Sequence, residues 1–69
     1  MKTIELQANG YTFEAHIDEN HHMGEFALTM PITLLVSMIQ NSLETLNVTP
    51  ENIDEMNSGS TWFNVEVVA

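Results

Sequence analysis

The sequence predicts an α+β fold: an antiparallel sheet of three to four strands, with one main amphipathic helix and one short helix packed on one face. Three observations lead there. Two alternating runs meet at Asn9-Gly10, the preferred pair for a two-residue hairpin turn. A helical apolar period runs from Ile32 to Leu46. Thr61 to Val68 alternates again and is rich in β-branched and aromatic residues, so it returns as a strand.

A type I′ turn at Asn9-Gly10 fixes the hairpin register, setting Ala8 opposite Tyr11, Leu6 opposite Phe13 and Ile4 opposite Ala15. Ile17 extends this apolar face. Thr3, Glu5, Gln7, Thr12, Glu14, His16 and Asp18 then occupy the other face, where Glu5 directly opposes Glu14 at a cost of about a few tenths of a kcal/mol. Residues 19 to 24 read as a polar loop, and the weak alternation of Phe26 and Leu28 predicts a short strand over Glu25 to Thr29.

Pro31 suits the first position of the main helix, with Thr29 or Met30 as its cap, and Ile32, Leu35, Val36, Ile39, Leu43 and Leu46 form its inward stripe. Leu34 and Met38 lie one turn apart beside a low-charge flank, as the edge of that stripe or as a homodimer surface. Thr49-Pro50-Glu51 has the composition of a second helix start, with Gly59 at its end and Ile53 and Met56 inward. Glu51, Asp54 and Glu55 share its outer side. In the last strand Phe63, Val65 and Val67 face the helix, which leaves Trp62, Asn64 and Glu66 on the face of Glu5 and Glu14 if the strand joins the same sheet.

Residues 1 to 69 are read as one domain, because a chain of this size buries roughly 60% of its unfolded surface and makes one modest core. Ten carboxylates against one lysine give a net charge of -9. That exceeds the roughly 2 to 8 charges that suffice for solubility in a small domain, and points to a basic protein surface as partner. Direct nucleic-acid binding is disfavoured because phosphate contact needs clustered Lys and Arg, and only Lys2 is present. Membrane association is disfavoured by the same charge and by the shortness of every apolar run. With no cysteine there is neither a disulfide nor a thiolate metal site, which fits the cytoplasm.

Chemistry is sparse. His16, Asp18, Glu19, His21, His22 and Glu25 gather within ten positions, yet adjacent His21 and His22 on a loop tend to point apart, so neither metal nor other cofactor is expected. A calcium loop starting at Asp18 fails, since Met23 and Thr29 stand where glycine and glutamate are needed. Ser58-Gly59-Ser60 reads as a turn, and Glu5 and Glu14 lie on an open face without walls to exclude water, so no catalytic residue is assigned. Trp62 is either an interface anchor or a cover for the end of the sheet.

The short length, one lysine, ten acidic residues, hairpin from Ile4 to Ile17, helices and final Thr61-Trp62-Phe63-Asn64-Val65 resemble the small acidic anti-CRISPR and host-defence inhibitors carried by phages. The resemblance implies competition, with carboxylates pairing with the Arg and Lys of a nucleic-acid-binding complex in the host cytoplasm. On this reading Glu5, Glu14, Asp18, Glu51, Asp54, Glu55, Trp62 and Glu66 form the partner-binding set. The other reading is a small accessory subunit that assembles through Leu34 and Met38, with its acidity serving solubility.

Overall fold

Asn9 and Gly10 take φ values of 55° and 85°, the two positive values a type I′ turn requires. In the computed structural model, which describes residues 2–68, they join β1 (Lys2–Ala8) to β2 (Tyr11–Ile17). The register is the one the turn dictates: Ala8 opposes Tyr11, Leu6 opposes Phe13 and Glu5 opposes Glu14. Residues Phe63–Val67 form β3, antiparallel to β2, so the order is β1-β2-β3 with β2 central. Among the described residues this is an α+β fold with three strands.

The expected fourth strand over Glu25 to Thr29 does not form; residues His22–Ala27 make a helix, α1. Two features, one a local cap and one a packing contact, override the weak alternation there. His21 is extended and its Nδ1 accepts from the Met23 amide at 3.1 Å, which caps the helix and removes half of the expected loop. Gly24 and Ala27, three apart, are the buried pair, and a Cβ on Gly24 would collide with the Asp18 carbonyl. The helix can approach the end of β2 only through glycine. Phe26, which suggested the strand, is exposed.

The main helix, α2, covers Ile32–Thr45. Pro31 lies just outside it as the cap residue, not in its first turn, and the Pro31 carbonyl accepts from the amides of Leu34 and Leu35. Thr29 is committed elsewhere, its hydroxyl donating to the Phe26 carbonyl. Leu35, Ile39 and Leu43 are buried, while Ile32 and Leu46 at the two ends of the stripe are exposed. The helix ends where Asn47 adopts φ 51°, with the Asn47 amide donating to Glu44 O and the Val48 amide to Leu43 O. This is a Schellman motif with asparagine in the left-handed position, and its usual apolar contact is supplied by buried Val48 and Leu43.

That stop is tied to the hairpin. The Asn9 amide nitrogen donates to Leu43 O at 3.0 Å and to Val48 O at 2.9 Å, so one residue both makes the turn and satisfies carbonyls at the end of α2. Residues 49–52 then form a turn in which the Glu51 amide donates to Thr49 Oγ1 and the Thr49 amide to Asn52 Oδ1. The reciprocal pattern resembles a capping box with asparagine in the glutamate role. The short helix α3 therefore starts later than Thr-Pro-Glu suggests, at Ile53, and runs Ile53–Gly59.

All three helices lie on one face of the sheet. Ile4, Leu6, Phe13, Ala15, Ile17 and Val65 meet Leu35, Ile39, Leu43, Met56 and Ala27 in one core. Each fully buried large side chain contributes about 1.5–3 kcal/mol. The sheet edges are guarded. Asn57 of α3 accepts from the Val65 amide and donates to the Val65 carbonyl on β3, and Gln40 of α2 donates to the Gln7 carbonyl on β1.

Candidate functional site: the open face of the sheet

Alternation sends every second residue of the strands away from the helices. Pairing on both sides of β2 then stacks those residues into rows: Thr3, His16 and Asn64 in one, and Glu5, Glu14 and Glu66 in the next. Three carboxylates thus cross three strands side by side. The Asp18 amide bonded to Trp62 O and the Val68 amide bonded to Thr12 O set the phase of the β2–β3 ladder. By alternation Glu14 and Glu66 form a hydrogen-bonded pair with Cα atoms about 5.5 Å apart, and Glu5 and Glu14 a closer pair at about 4.5 Å. Like charges at these spacings oppose folding.

No Lys or Arg shares this face, because the only such residue, Lys2, opposes Ile17 and so has the parity of the helix side. The side chain that pairs with this row is His16. Its Nε2 lies 3.3 Å from Glu66 Oε2, and its Nδ1 lies 3.0 Å from Thr3 Oγ1. Ligand atoms of Glu14, His16 and Glu66 all fall within 4.8 Å of one another. Glu14 and His16 are half-buried by their neighbours, whereas Glu5 and Glu66 are exposed.

The other expected site residues are placed differently. Asp18 has the same parity, but its carboxylate accepts from the Asn20 amide at 3.0 Å and closes the turn that leads into α1. Glu51, Asp54 and Glu55 are exposed on α3 and the turn before it. Asp54 lines a groove between α3 and β3 together with Asn57, Asn64 and Glu66. Glu55 instead borders a depression with Leu46, Met56 and Trp62.

Trp62 leaves the carboxylate face altogether. It is half-buried against the core, with its ring centroid 4.6 Å from that of Phe63. The regular strand begins at Phe63; the Trp62 carbonyl still accepts from the Asp18 amide, but the Trp62 ring packs against the core together with that of Phe63. Leu34 and Met38 also part company: Leu34 is 55% exposed, while Met38 is half-buried against the core.

The histidine-rich window from 16 to 25 does not assemble as a unit. His21 and His22 stack face to face with centroids 4.5 Å apart instead of pointing apart, and His21 Nδ1 is occupied by the helix cap. His16 joins Glu14 and Glu66, the latter 50 positions away. A search by sequence spacing overlooks that set; the signal that finds it is Glu-x-His on one strand face combined with the register of β3. No family model, curated protein or solved structure matches the chain.

Proposed function

We propose that the chain is an acidic binding protein that occupies a positively charged surface of a macromolecular partner, with the open face of its sheet as the contact. The observation that carries the reading is the Glu5, Glu14 and Glu66 row, held at strand spacing on a rigid sheet with no Lys or Arg beside it. Such a row lowers stability, and a cationic surface converts that repulsion into attraction. Asp54, across the groove from Glu66, extends the negative surface toward α3. Nucleic-acid-binding proteins carry surfaces of this complementary kind, so competition for a phosphate-binding site, as in the phage-encoded inhibitors the sequence resembles, is the proposed mode of action. The role is one of binding, since these carboxylates stand on an open face.

The test is capture of partners from a lysate at low and high ionic strength, comparing the wild type with Glu5→Gln/Glu14→Gln and Glu66→Gln. Electrostatic capture weakens steeply with salt and with each charge removed. Equal recovery by all forms would sink the proposal. The accessory-subunit reading rests on exposed Leu34 alone, now that Met38 belongs to the core. It predicts self-association that persists or tightens in salt and is lost in Leu34→Glu, measured by sedimentation.

A further inference from the structure

We infer that Glu14, His16 and Glu66 form a binding site for one divalent transition-metal ion of the zinc class. The inference stands apart from the partner reading, because it rests on donor geometry and not on net charge. One imidazole nitrogen and two carboxylates are a donor set that zinc accepts, with solvent or substrate completing the coordination. Ligands on a tetrahedral zinc, each about 2.0–2.2 Å from the ion, stand about 3.4 Å from one another. His16 Nε2 and Glu66 Oε2 are already 3.3 Å apart. The full set lies within 4.8 Å, so the remaining adjustment is at most about 1.4 Å and falls to the two glutamate side chains.

The placement is rigid where it needs to be. Glu14 and His16 alternate on the central strand, and Glu66 lies on the strand hydrogen-bonded to it, so backbone pairing fixes all three Cα positions. Behind the imidazole, Thr3 Oγ1 lies 3.0 Å from Nδ1. In the ion-bound state, with Nδ1–H donating to that hydroxyl, Nε2 would present its lone pair to an ion held between it and the two carboxylates, the usual arrangement by which an outer hydrogen bond orients a ligating histidine. An imidazole ligand also selects the class, since calcium and magnesium prefer all-oxygen surroundings. A dication would relieve the Glu14–Glu66 repulsion that the fold otherwise sustains.

Calorimetric titration of the folded protein with ZnCl2 alone tests the site. One ion per chain is expected, with affinity weakened on the order of tenfold or more in His16→Ala and in Glu66→Gln, and on the order of tenfold in Thr3→Val. A His21→Ala/His22→Ala variant should bind as the wild type does. Thermal unfolding with and without ZnCl2 gives a second readout, because an ion bound only by the native state raises Tm in the wild type and not in His16→Ala. Circular dichroism of each variant without metal checks that the fold persists, as expected for substitutions on the outer face. The inference is overturned if zinc does not bind, if it binds His16→Ala and wild type alike, if the His21/His22 variant loses it, or if CaCl2 binds more tightly than ZnCl2. Loss of zinc binding would leave the partner reading untouched, and failure of lysate capture would leave the zinc result untouched.

Discussion

The two faces of β2 are made by the same seven residues and are held in opposite ways. Phe13, Ala15 and Ile17 are wholly buried, and each is placed by what it packs against. Thr12, Glu14 and His16 are placed by the strand they belong to, and Glu14 lies between two like charges. Cohesion on the helix side therefore fixes the geometry of a face that would not assemble by itself. The charge layout and the stability of this protein are separable to a degree that its small size does not suggest.

The strongest attack on that separation is Phe13→Ala, which should cost about 3–5 kcal/mol in chemical denaturation. Small domains have about 5–15 kcal/mol in total, so the outer face should lose its ordered charge layout along with the core. Next comes the link between hairpin and helix. Asn9→Ala removes two hydrogen bonds and places a side chain less tolerant of positive φ in the turn, with an expected loss of about 1–3 kcal/mol. Asn9→Gly, which keeps the turn accessible, should lose less by the same measurement, and the difference apportions the effect between turn and clasp. Gly24→Ala should cost about 1–3 kcal/mol in thermal unfolding as α1 is pushed from Asp18.

The smallest effect carries the opposite sign. Glu14→Gln should stabilise the fold by about 0.2–1 kcal/mol at low ionic strength, and the gain should shrink as salt is added. A loss of stability would mean that Glu14 makes favourable contacts and that the two faces are not separable as described.

Sequence reasoning reached the sheet because its signals are local. A two-residue turn sets the register of the whole hairpin, and alternation carries Glu66 to the correct face once β3 pairs with β2. It failed where placement depends on distant atoms. Helix α1 replaces the expected strand over Glu25 to Thr29, and it sits against β2 because Gly24 fits beside the Asp18 carbonyl, a contact invisible to periodicity. Trp62 is open to two readings in the sequence, an anchor on the outer face or a cover for the end of the sheet, and its packing against the core favours the second. The carboxylate row was thus legible almost entirely, and the histidine within it only in part, because Glu66 meets His16 diagonally across strands.

Asn57 gives β3 an unusual property for an edge strand. The Val65 amide points away from β2 and would ordinarily exchange its hydrogen with solvent readily, but Asn57 Oδ1 accepts it at 2.8 Å. Its isotope exchange is therefore gated by the lifting of α3, a motion smaller than global unfolding. Val65 becomes a built-in reporter, in a single amide, of how often the short helix leaves the sheet.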